Sequence, residues 1–182
     1  MCIRDSIKYA RVAEEDPNAV VSFHYYLPML LSHYKMLAWV GYQGAVQYPG
    51  VVIPTQSDAD KYPQYASFHK TTYNADRIMG EMSNAASDGR NAGLAVHCGE
   101  FGCSKNVAEA MRLAWFTDMV AAMEANNIPW TLWECLDGGF GFVDMEYGIY
   151  RINCPLLKVL TGKELTDAEA KVLLQKYGFK TE

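Results

Sequence analysis

Glu100 is the acidic residue of this sequence that is best placed for chemistry. It follows a short, mostly apolar run and lies between Gly99 and Gly102, so its carboxylate would leave the end of a strand where the backbone can pack closely. A carboxylate in such a place can act as a base or as a nucleophile. The plain alternative is a solvated glutamate in a loop, and Glu100 considered alone does not decide between the two.

His24 and Tyr26 are hydrogen-bonding residues at the end of another short run of β-branched and aromatic residues. Side chains two residues apart point to the same face of a strand, so both can donate hydrogen bonds toward one centre. Tyr25, which lies between them, is a further candidate for contact with a substrate. Burial in an ordinary hydrophobic core is the alternative for aromatic rings in this position.

Trp133 and Glu134 follow a third short apolar run. The flat face of a tryptophan beside polar groups is suited to stacking on a sugar ring, although an ordinary core tryptophan is an equally good interpretation. Trp39, Tyr42 and Tyr48 lie in a long segment rich in Gly, Pro and Tyr, and they offer further aromatic platforms. These residues are therefore candidates for binding a carbohydrate.

A repeated order of strand, loop and helix would position these groups. Short apolar runs predict strands over residues 18–26, 93–99 and 128–133, and apolar residues at helical spacing predict helices over residues 67–84 and from residue 107 to 126. This order is typical of parallel βα units, either in a small α/β layer or in a sector of a closed barrel. In both architectures the functional groups stand at the C-terminal ends of the strands, where all three candidate groups fall.

Three other segments have weaker or local signals. Residues 27–64 show no sustained period, which predicts a long loop that carries function. The Asp88-Gly89-Arg90 sequence predicts a turn that closes the first helix, and the stretch after residue 141 is predicted to be irregular. A capping box over Thr166 to Glu169 begins a last helix, and Gly178 is placed to end it.

The composition limits the class of protein. The chain has 182 residues, 50% of them hydrophobic, which is enough for one core of ordinary size, and its formal net charge is -5. Because there is no basic surplus, the charge argues against nucleic acid and anionic membranes as partners. No apolar run approaches the roughly 20 residues that cross a bilayer. We therefore expect a soluble globular domain without nucleic acid or membrane partners.

Cofactor chemistry is not predicted. The histidines fall on different predicted elements without the spacing of a metal site; they are His24, His33, His69 and His97. No glycine-rich phosphate motif follows a strand, because Gly138, Gly139 and Gly141 precede no clear helix. We therefore expect neither a metal nor an organic cofactor.

Residues 1–6, Met-Cys-Ile-Arg-Asp-Ser, are set apart from the fold. They match the in-frame translation of a transposon end that is used to attach sequencing adapters, ATG TGT ATA AGA GAC AG. We therefore expect a non-native, adapter-derived tail before a domain of residues 7–182. A genuine N-terminal tail is the alternative. An adapter-derived tail would mean that the natural coding sequence continued upstream and that the chain is a piece of a longer protein.

An ordered set of motifs gives the chain a resemblance to a known family. The motifs are Val21-Ser22-Phe23-His24-Tyr25-Tyr26-x-Pro28, Gly44-Ala45 with Tyr48-Pro49-Gly50, His97-Cys98-Gly99-Glu100-Phe101-Gly102, and Trp130-x-x-Trp133-Glu134 with Gly138-Gly139-Phe140-Gly141. Each motif alone is weak, but their order and spacing from about residue 16 to residue 144 are specific. The chain resembles the C-terminal part of glycoside hydrolase family 5, the cellulase and mannanase family of retaining (β/α)8 barrels.

The resemblance implies a fold and a role for several residues. The fold is the C-terminal part of a TIM barrel, about strands six to eight. Glu100 corresponds to the family's nucleophile at the end of the seventh strand, which forms the covalent glycosyl-enzyme. His24 and Tyr26 correspond to the His-x-Tyr pair of the sixth strand, in which the tyrosine hydrogen-bonds the nucleophile and the histidine lines the site. Trp133 corresponds to the eighth-strand tryptophan that holds the sugar next to the scissile bond.

The family's acid/base residue has no counterpart in this chain. It is the glutamate of an Asn-Glu-Pro motif that ends the fourth strand, and no Asn-Glu pair occurs here. Retaining hydrolysis needs two carboxyl groups about 5 to 5.5 Å apart. The resemblance therefore implies a parent protein that hydrolyses β-linked glucan or mannan with retention, and a chain that is inactive alone. A catalytically silent carbohydrate-binding barrel is the second interpretation, and an unrelated small α/β module is the third.

Overall fold

The computed structural model describes residues 16, 18–36, 41–136 and 138–182. The predictions for residues 1–6 and for Trp39 lie outside the described residues. The elements are, in chain order, β1 (Val20–Tyr25), α1 (Met29–Ser32), β2 (Gly50–Val51), α2 (Gln56–Lys61), a 3-10 helix (Pro63–Lys70), β3 (Thr72–Tyr73), α3 (Ala75–Asn91), β4 (Ala95–Phe101), α4 (Glu109–Ala125), β5 (Trp130–Leu132), β6 (Val143–Glu146), β7 (Ile149–Ile152), α5 (Cys154–Thr161) and α6 (Asp167–Lys176).

The central sheet has three parallel strands in the order β1-β4-β5. Helix α3 connects β1 to β4, and α4 connects β4 to β5, so each connection is a crossover that covers the same face of the sheet. The prediction of parallel βα units is confirmed. The second strand extends further than predicted, because β4 runs through Glu100 to Phe101, so Glu100 is the penultimate residue of its strand rather than a residue after it. Antiparallel pairs β2-β3 and β6-β7 are added at the periphery.

The hydrophobic core lies between the sheet and helices α3 and α4. Phe23 of β1 and Phe101 of β4 are fully buried, and both belong to one cluster with Trp115 and Phe116 of α4. The ring of Phe101 meets Trp115 and Phe116 at centroid distances of 6.3 and 5.9 Å. These contacts fix which face of each strand looks toward the helices, because neighbouring side chains of a strand alternate between faces.

The opposite face of the sheet carries a row of polar side chains. The Ser22 hydroxyl lies 3.3 Å from Nδ1 of His97, and Nε2 of His97 lies 3.1 Å from the hydroxyl of Thr131, so one histidine links all three strands. Val20 on the same face is 56% exposed. This face is therefore open to solvent within the part of the chain that the structure describes.

Two predicted boundaries between the first and second strands are wrong. The helix predicted over residues 67–84 is instead a 3-10 helix followed by α3, which begins after Asn74 and runs to Asn91. Asn74 caps α3 by accepting a hydrogen bond from the Arg77 amide at 3.0 Å. Gly89 makes no turn, because it lies inside α3, where a side chain would collide with Val96 of β4. The glycine there serves close packing of a helix on a strand.

The other predicted irregular segments contain more structure than expected. Residues 27–64 include α1, β2 and α2, and the stretch after residue 141 contains the β6-β7 hairpin and α5. The last helix agrees with its prediction, since Thr166 and Glu169 form the capping box and Gly178 follows the helix end with a φ of 81°. Among the described residues, no helix combines the length and apolarity that crossing a membrane requires.

Candidate active site

A bulge in β4 sets the direction of the Glu100 side chain. Phe23 pairs with Cys98, but His24 pairs with Glu100, and the pairing of β4 with β5 shifts in the same interval. Strand β4 thus has one extra residue against both neighbours. Cys98 and Phe101 are buried three residues apart, whereas regular alternation would bury residues two apart. The extra residue turns Glu100 toward the open face of the sheet.

Gly99 lies at the bulge. A Cβ atom at this position would lie 2.3 Å from the Ser22 hydroxyl oxygen on the neighbouring strand, so a side chain there would displace that hydroxyl from its place beside His97. An isolated glycine in a strand pattern is a known sign of a bulge.

Tyr26 and His24 meet on one oxygen of Glu100. The Tyr26 hydroxyl donates a hydrogen bond to Glu100 Oε2 at 2.9 Å, and Nδ1 of His24 lies 3.3 Å from the same oxygen. All three side chains are partly exposed at the C-terminal ends of β1 and β4. The structure therefore brings together the three residues that the sequence analysis placed at one centre.

Neighbouring rings hold the Tyr26 side chain in place, and its hydroxyl stays protonated. Its centroid lies 4.9 Å from that of His33 and 5.9 Å from that of Phe140. Burial, helped by the hydrogen bond to Glu100 and by the negative charge there, raises the pKa of Tyr26 well above its ordinary range. Tyr26 is therefore a hydrogen-bond donor to Glu100 at every pH at which such a protein would work.

A short relay of hydrogen bonds orients His33 beside Tyr26. The Ser32 hydroxyl donates its proton to the Tyr26 carbonyl oxygen at 2.5 Å, and it lies 2.9 Å from Nδ1 of His33. Because a hydroxyl has one proton, Nδ1 of His33 is the donor in the second bond. Burial lowers the pKa of His33, which favours the neutral ring that packs at a tilt against Tyr26.

Trp133 presents an open aromatic face beyond the end of β5. The residue is 47% exposed, and its amide donates to the Phe101 carbonyl at 2.9 Å. Its peptide bond to Glu134 is cis. Oε1 of Glu134 is buried against Gly138 and has no hydrogen-bond partner among the described residues. A planar apolar ligand can reach Trp133, while Glu134 is covered on one side by the following loop.

A comparison with protein families shows which family the chain belongs to. The model of Cellulase (glycosyl hydrolase family 5) matches residues 6–139. The chain belongs to glycosyl hydrolase family 5. This membership rules out the third interpretation, an unrelated small α/β module.

Similar proteins agree with the family and extend beyond this chain. Endoglucanase C of Acetivibrio thermocellus and Endoglucanase C307 of Clostridium sp. (strain F1) are each 22% identical over 143 residues, which are 75% of this chain and 39% of the relative. The chain thus spans 39% of the length of these curated relatives.

Solved structures share the fold. Thermotoga maritima Cel5A in complex with cellobiose superposes with a TM-score of 0.59 at 19% identity, covering 86% of this chain and 44% of that one. The cellulose synthase subunit Z of Clostridioides difficile gives 0.56 at 22% identity, covering 78% and 40%. The three parallel strands are therefore part of a family 5 TIM barrel.

The prediction that Tyr25 contacts substrate is wrong. Tyr25 is 1% exposed, its ring stacks with that of Trp115 at 6.5 Å, and its hydroxyl donates to Oε2 of Glu81 in α3 at 2.6 Å. The reason is the alternation of the strand, which turns Tyr25 toward the helices when His24 and Tyr26 face the opposite side.

The prediction of aromatic platforms at Tyr42 and Tyr48 is also wrong. Both side chains are buried. The Tyr42 hydroxyl donates to the Ala45 carbonyl at 2.6 Å, and the Tyr48 hydroxyl donates to Oδ2 of Asp118 at 2.5 Å. Burial raises the pKa of both hydroxyl groups, so they serve as fixed donors inside the family 5 fold. A tyrosine in a polar loop can bury its ring when its hydroxyl finds a partner.

Sequence reasoning missed three residues that shape this family 5 site: His33, Phe140 and Arg112. Phe140 was present only as part of a glycine-rich motif. Arg112 had a usable signal, because it lies three and four residues before Trp115 and Phe116, on the apolar stripe of α4. A charged residue on such a stripe indicates a buried polar interaction. Within the described ranges, no cluster of three or more potential metal ligands occurs.

Proposed function

We propose that this chain, from residue 7 to residue 182, supplies the last three βα units of a retaining β-glycosidase. We further propose that the parent protein, meaning the longer chain with the remaining barrel strands, hydrolyses a β-linked glucan or mannan. The observation that carries the proposal is the convergence of Tyr26 and His24 on Oε2 of Glu100 in a family 5 chain. In this proposal residues 1–6 are an adapter-derived tail.

The reaction assigns Glu100 the role of nucleophile. Two donors hold Oε2, so Oε1 attacks the anomeric carbon, and the bond from that carbon to the leaving oxygen breaks. An acid/base carboxyl group of the parent, outside this chain, gives its proton to the leaving oxygen. The same carboxyl then removes a proton from water, which attacks the anomeric carbon and releases Glu100 as a carboxylate.

The remaining site residues bind and orient. Tyr26 and His24 hold the carboxylate in one orientation, so that attack costs little rearrangement. Trp133 provides a stacking face for the sugar ring next to the scissile bond. Glu134, the next residue, is a further proposed contact with the substrate. Trp39 is a further proposed contact with the sugar chain.

The proposal includes both a glucan and a mannan as substrates. One Thermotoga maritima relative was solved with cellobiose and with mannotriose, so two kinds of β-linked sugar enter that related cleft. Both ligands have equatorial β-1,4 linkages and apolar ring faces that a tryptophan can stack on. We therefore propose a β-linked oligo- or polysaccharide as the partner.

Trapping the glycosyl-enzyme tests the nucleophile directly. The parent is incubated with a 2-deoxy-2-fluoro-β-cellobioside and with the manno analogue, each with a good leaving group, and is then digested and analysed by mass spectrometry. We expect one glycosyl unit on the peptide that contains Glu100. A label on another peptide overturns the assignment of Glu100, and a parent that binds sugar without being labelled supports a catalytically silent barrel.

Recovering the upstream coding sequence is the least costly complementary test. An Asn-Glu pair at the end of a fourth barrel strand supplies the acid/base that this chain lacks and supports the glycosidase. Another residue at that place favours the silent carbohydrate-binding barrel, in which Glu100 keeps its two donors but has no proton donor opposite it.

Tyr26→Phe is expected to slow the parent less than loss of Glu100 does. The change deletes one hydrogen bond to a carboxylate, which is worth about 1.5–3 kcal/mol, so kcat/KM should fall about tenfold to a hundredfold. Tyr25→Phe is the matched control, because it removes the same hydroxyl from a tyrosine whose partner is Glu81. A loss for Tyr25→Phe equal to that for Tyr26→Phe, per folded molecule, would contradict the role of Tyr26.

Trp133→Ala is expected to weaken sugar binding. The loss of a stacking face should raise the Kd of an oligosaccharide about tenfold, which corresponds to about 1.4 kcal/mol. Calorimetry with cellotetraose and mannotetraose measures it, in a parent that also carries Glu100→Gln so that no sugar is cleaved. Trp133→Phe should keep most of the affinity, and an unchanged Kd for Trp133→Ala would refute the contact.

A further inference from the structure

We propose that Arg112 is a positioning residue that holds the loop after β5 so that Phe140 packs against Tyr26, and through Tyr26 orients Glu100. The inference rests on the proposed function, because Glu100 is its end point. Arg112 lies on α4, which packs on the face of the sheet opposite the open one, and its side chain donates to backbone carbonyls of two loops.

The contacts of Arg112 connect the two loops that border the site. Arg112 is 4% exposed, and its Nε donates to the Cys103 carbonyl at 2.9 Å, just beyond β4. Its Nη2 donates to the carbonyls of Phe140 at 2.5 Å and Gly141 at 2.8 Å, in the loop beyond β5. One guanidinium therefore fixes the distance between the strand end that carries Glu100 and the loop that covers it.

Phe140 transmits this constraint to the candidate nucleophile. Its carbonyl is held by Arg112, while its ring packs edge-on against His33 at 5.2 Å and against Tyr26 at 5.9 Å. Tyr26 in turn donates to Glu100 at 2.9 Å. The path from Arg112 to the carboxylate thus consists of contacts between neighbouring groups at every step.

The hydrogen-bond partners of Arg112 favour a specific positioning role for this residue over a general role in core packing. Burying a guanidinium is costly. The hydrogen bonds of Arg112 go to neutral carbonyl oxygens, which compensate a charge less well than a carboxylate does, and the Phe116 ring centroid lies 5.3 Å from its Cζ. An apolar side chain on this stripe of α4 would avoid that cost. The forked guanidinium, however, can hold three carbonyls in a fixed arrangement, which neither an apolar residue nor a lysine can do.

Lys105 holds the same loop at other points. Its amide donates to the Gly139 carbonyl at 2.8 Å, and its ammonium group donates to the Val143 carbonyl at 2.6 Å and pairs with Asp144 at 2.9 Å. Loss of Arg112 should therefore free Phe140 locally while Lys105 keeps the loop attached. Because Lys105 still holds the loop, an effect of an Arg112 variant on catalysis can be measured without loss of the fold.

The test compares Arg112→Met and Arg112→Lys with Arg90→Met in the parent protein. Arg90 is an exposed arginine on α3 and serves as the matched control. The fraction of molecules labelled at saturation by the 2-fluoro glycoside counts competent sites, and kcat is expressed per competent site. We expect both Arg112 variants to lose about tenfold to a hundredfold in kcat with KM changed less than threefold, and Arg90→Met to lose neither.

A double-mutant cycle separates positioning from stability. If Arg112 acts through Tyr26, Arg112→Met should add less than about threefold to the loss caused by Tyr26→Phe. A purely structural role lowers the melting temperature and the labelled fraction but leaves kcat per site unchanged. That result, or two losses that simply multiply, would overturn the proposal.

Phe140→Leu keeps the test decisive if Arg112→Met does not fold. It removes the ring contact with Tyr26 and leaves Arg112 and its carbonyl partners in place, so it should show the same kcat loss and the same non-additivity. Unchanged kcat for Phe140→Leu would refute the path. A wild-type parent that neither hydrolyses β-glycosides nor is labelled at Glu100 would instead refute the proposed function.

Discussion

Glu100→Gln should abolish turnover by the parent protein while leaving sugar binding largely in place. The amide has nearly the volume of the carboxylate but cannot attack the anomeric carbon, so kcat should fall at least about a thousandfold, which is about 4 kcal/mol of activation free energy. Hydrolysis of a chromogenic β-cellobioside and of a β-mannobioside measures the loss. Calorimetry with the uncleaved tetrasaccharides measures the retained binding.

The matched control for this prediction is Glu124→Gln. Glu124 is exposed on α4, away from the strand ends, and its substitution changes the net charge by the same amount. Activity within about twofold of wild type is expected for it. Retention of activity within about tenfold by Glu100→Gln would rule out Glu100 as the nucleophile and direct attention to Glu134, a carboxylate that follows β5.

The 182-residue chain on its own is expected to have no glycosidase activity and to be aggregation-prone or only loosely folded. In the sheet order β1-β4-β5, the outer edges of β1 and β5 lack a neighbour among the described strands, and such edges pair with other chains. The inner face is also open, with Val20 more than half exposed. Apolar surface left in water forgoes about 25 cal/mol per Å² of stabilisation. The sequence also contains no Asn-Glu pair to supply the proposed acid/base partner of Glu100.

Size-exclusion chromatography, thermal unfolding and the two chromogenic substrates measure this prediction together. The parent protein is the control, and it should be monodisperse, unfold cooperatively and hydrolyse at least one substrate. A monodisperse, cooperatively folding and active 182-residue chain would contradict the prediction. It would also require an acid/base among the carboxylates present, with Glu134 the first to replace.

The three central strands could be predicted from sequence to within about two residues at each end, because short apolar runs indicate buried strands. The end of β4 was placed too early, since the strand continues through Glu100 to Phe101. Residues 24 and 26 could be placed on one face by alternation alone, and the Thr166 capping box located the start of α6. The same alternation should have excluded Tyr25, whose neighbours on both sides were assigned to the site. Neighbouring side chains of a strand point to opposite faces, so Tyr25 cannot share a face with His24 and Tyr26.

Other features depend on contacts between distant segments and could not be derived from local patterns. The buried hydroxyl partners of Tyr42 and Tyr48 include Asp118, seventy residues from Tyr48. The bulge at Gly99 depends on two neighbouring strands at once. Gly89 shows the limit of local signals, because a glycine selected for close packing on Val96 has the same sequence signature as a glycine in a turn.

The bulge also allows β4 to place two side chains, His97 and Glu100, in two successive layers of the barrel interior. Without an extra residue, His97 and Glu100, three positions apart, would point to opposite sides of β4. The extra residue at the bulge brings both to the inside, about 7 Å apart along the strand, because their partners Ser22 and His24 on β1 are two residues apart. His97 can then join Ser22 and Thr131 in a hydrogen-bonded floor, while Glu100 stands above it. The layer that contains His97 and the layer that contains Glu100 therefore lie one above the other on the same face, although the two residues are an odd number of positions apart in sequence.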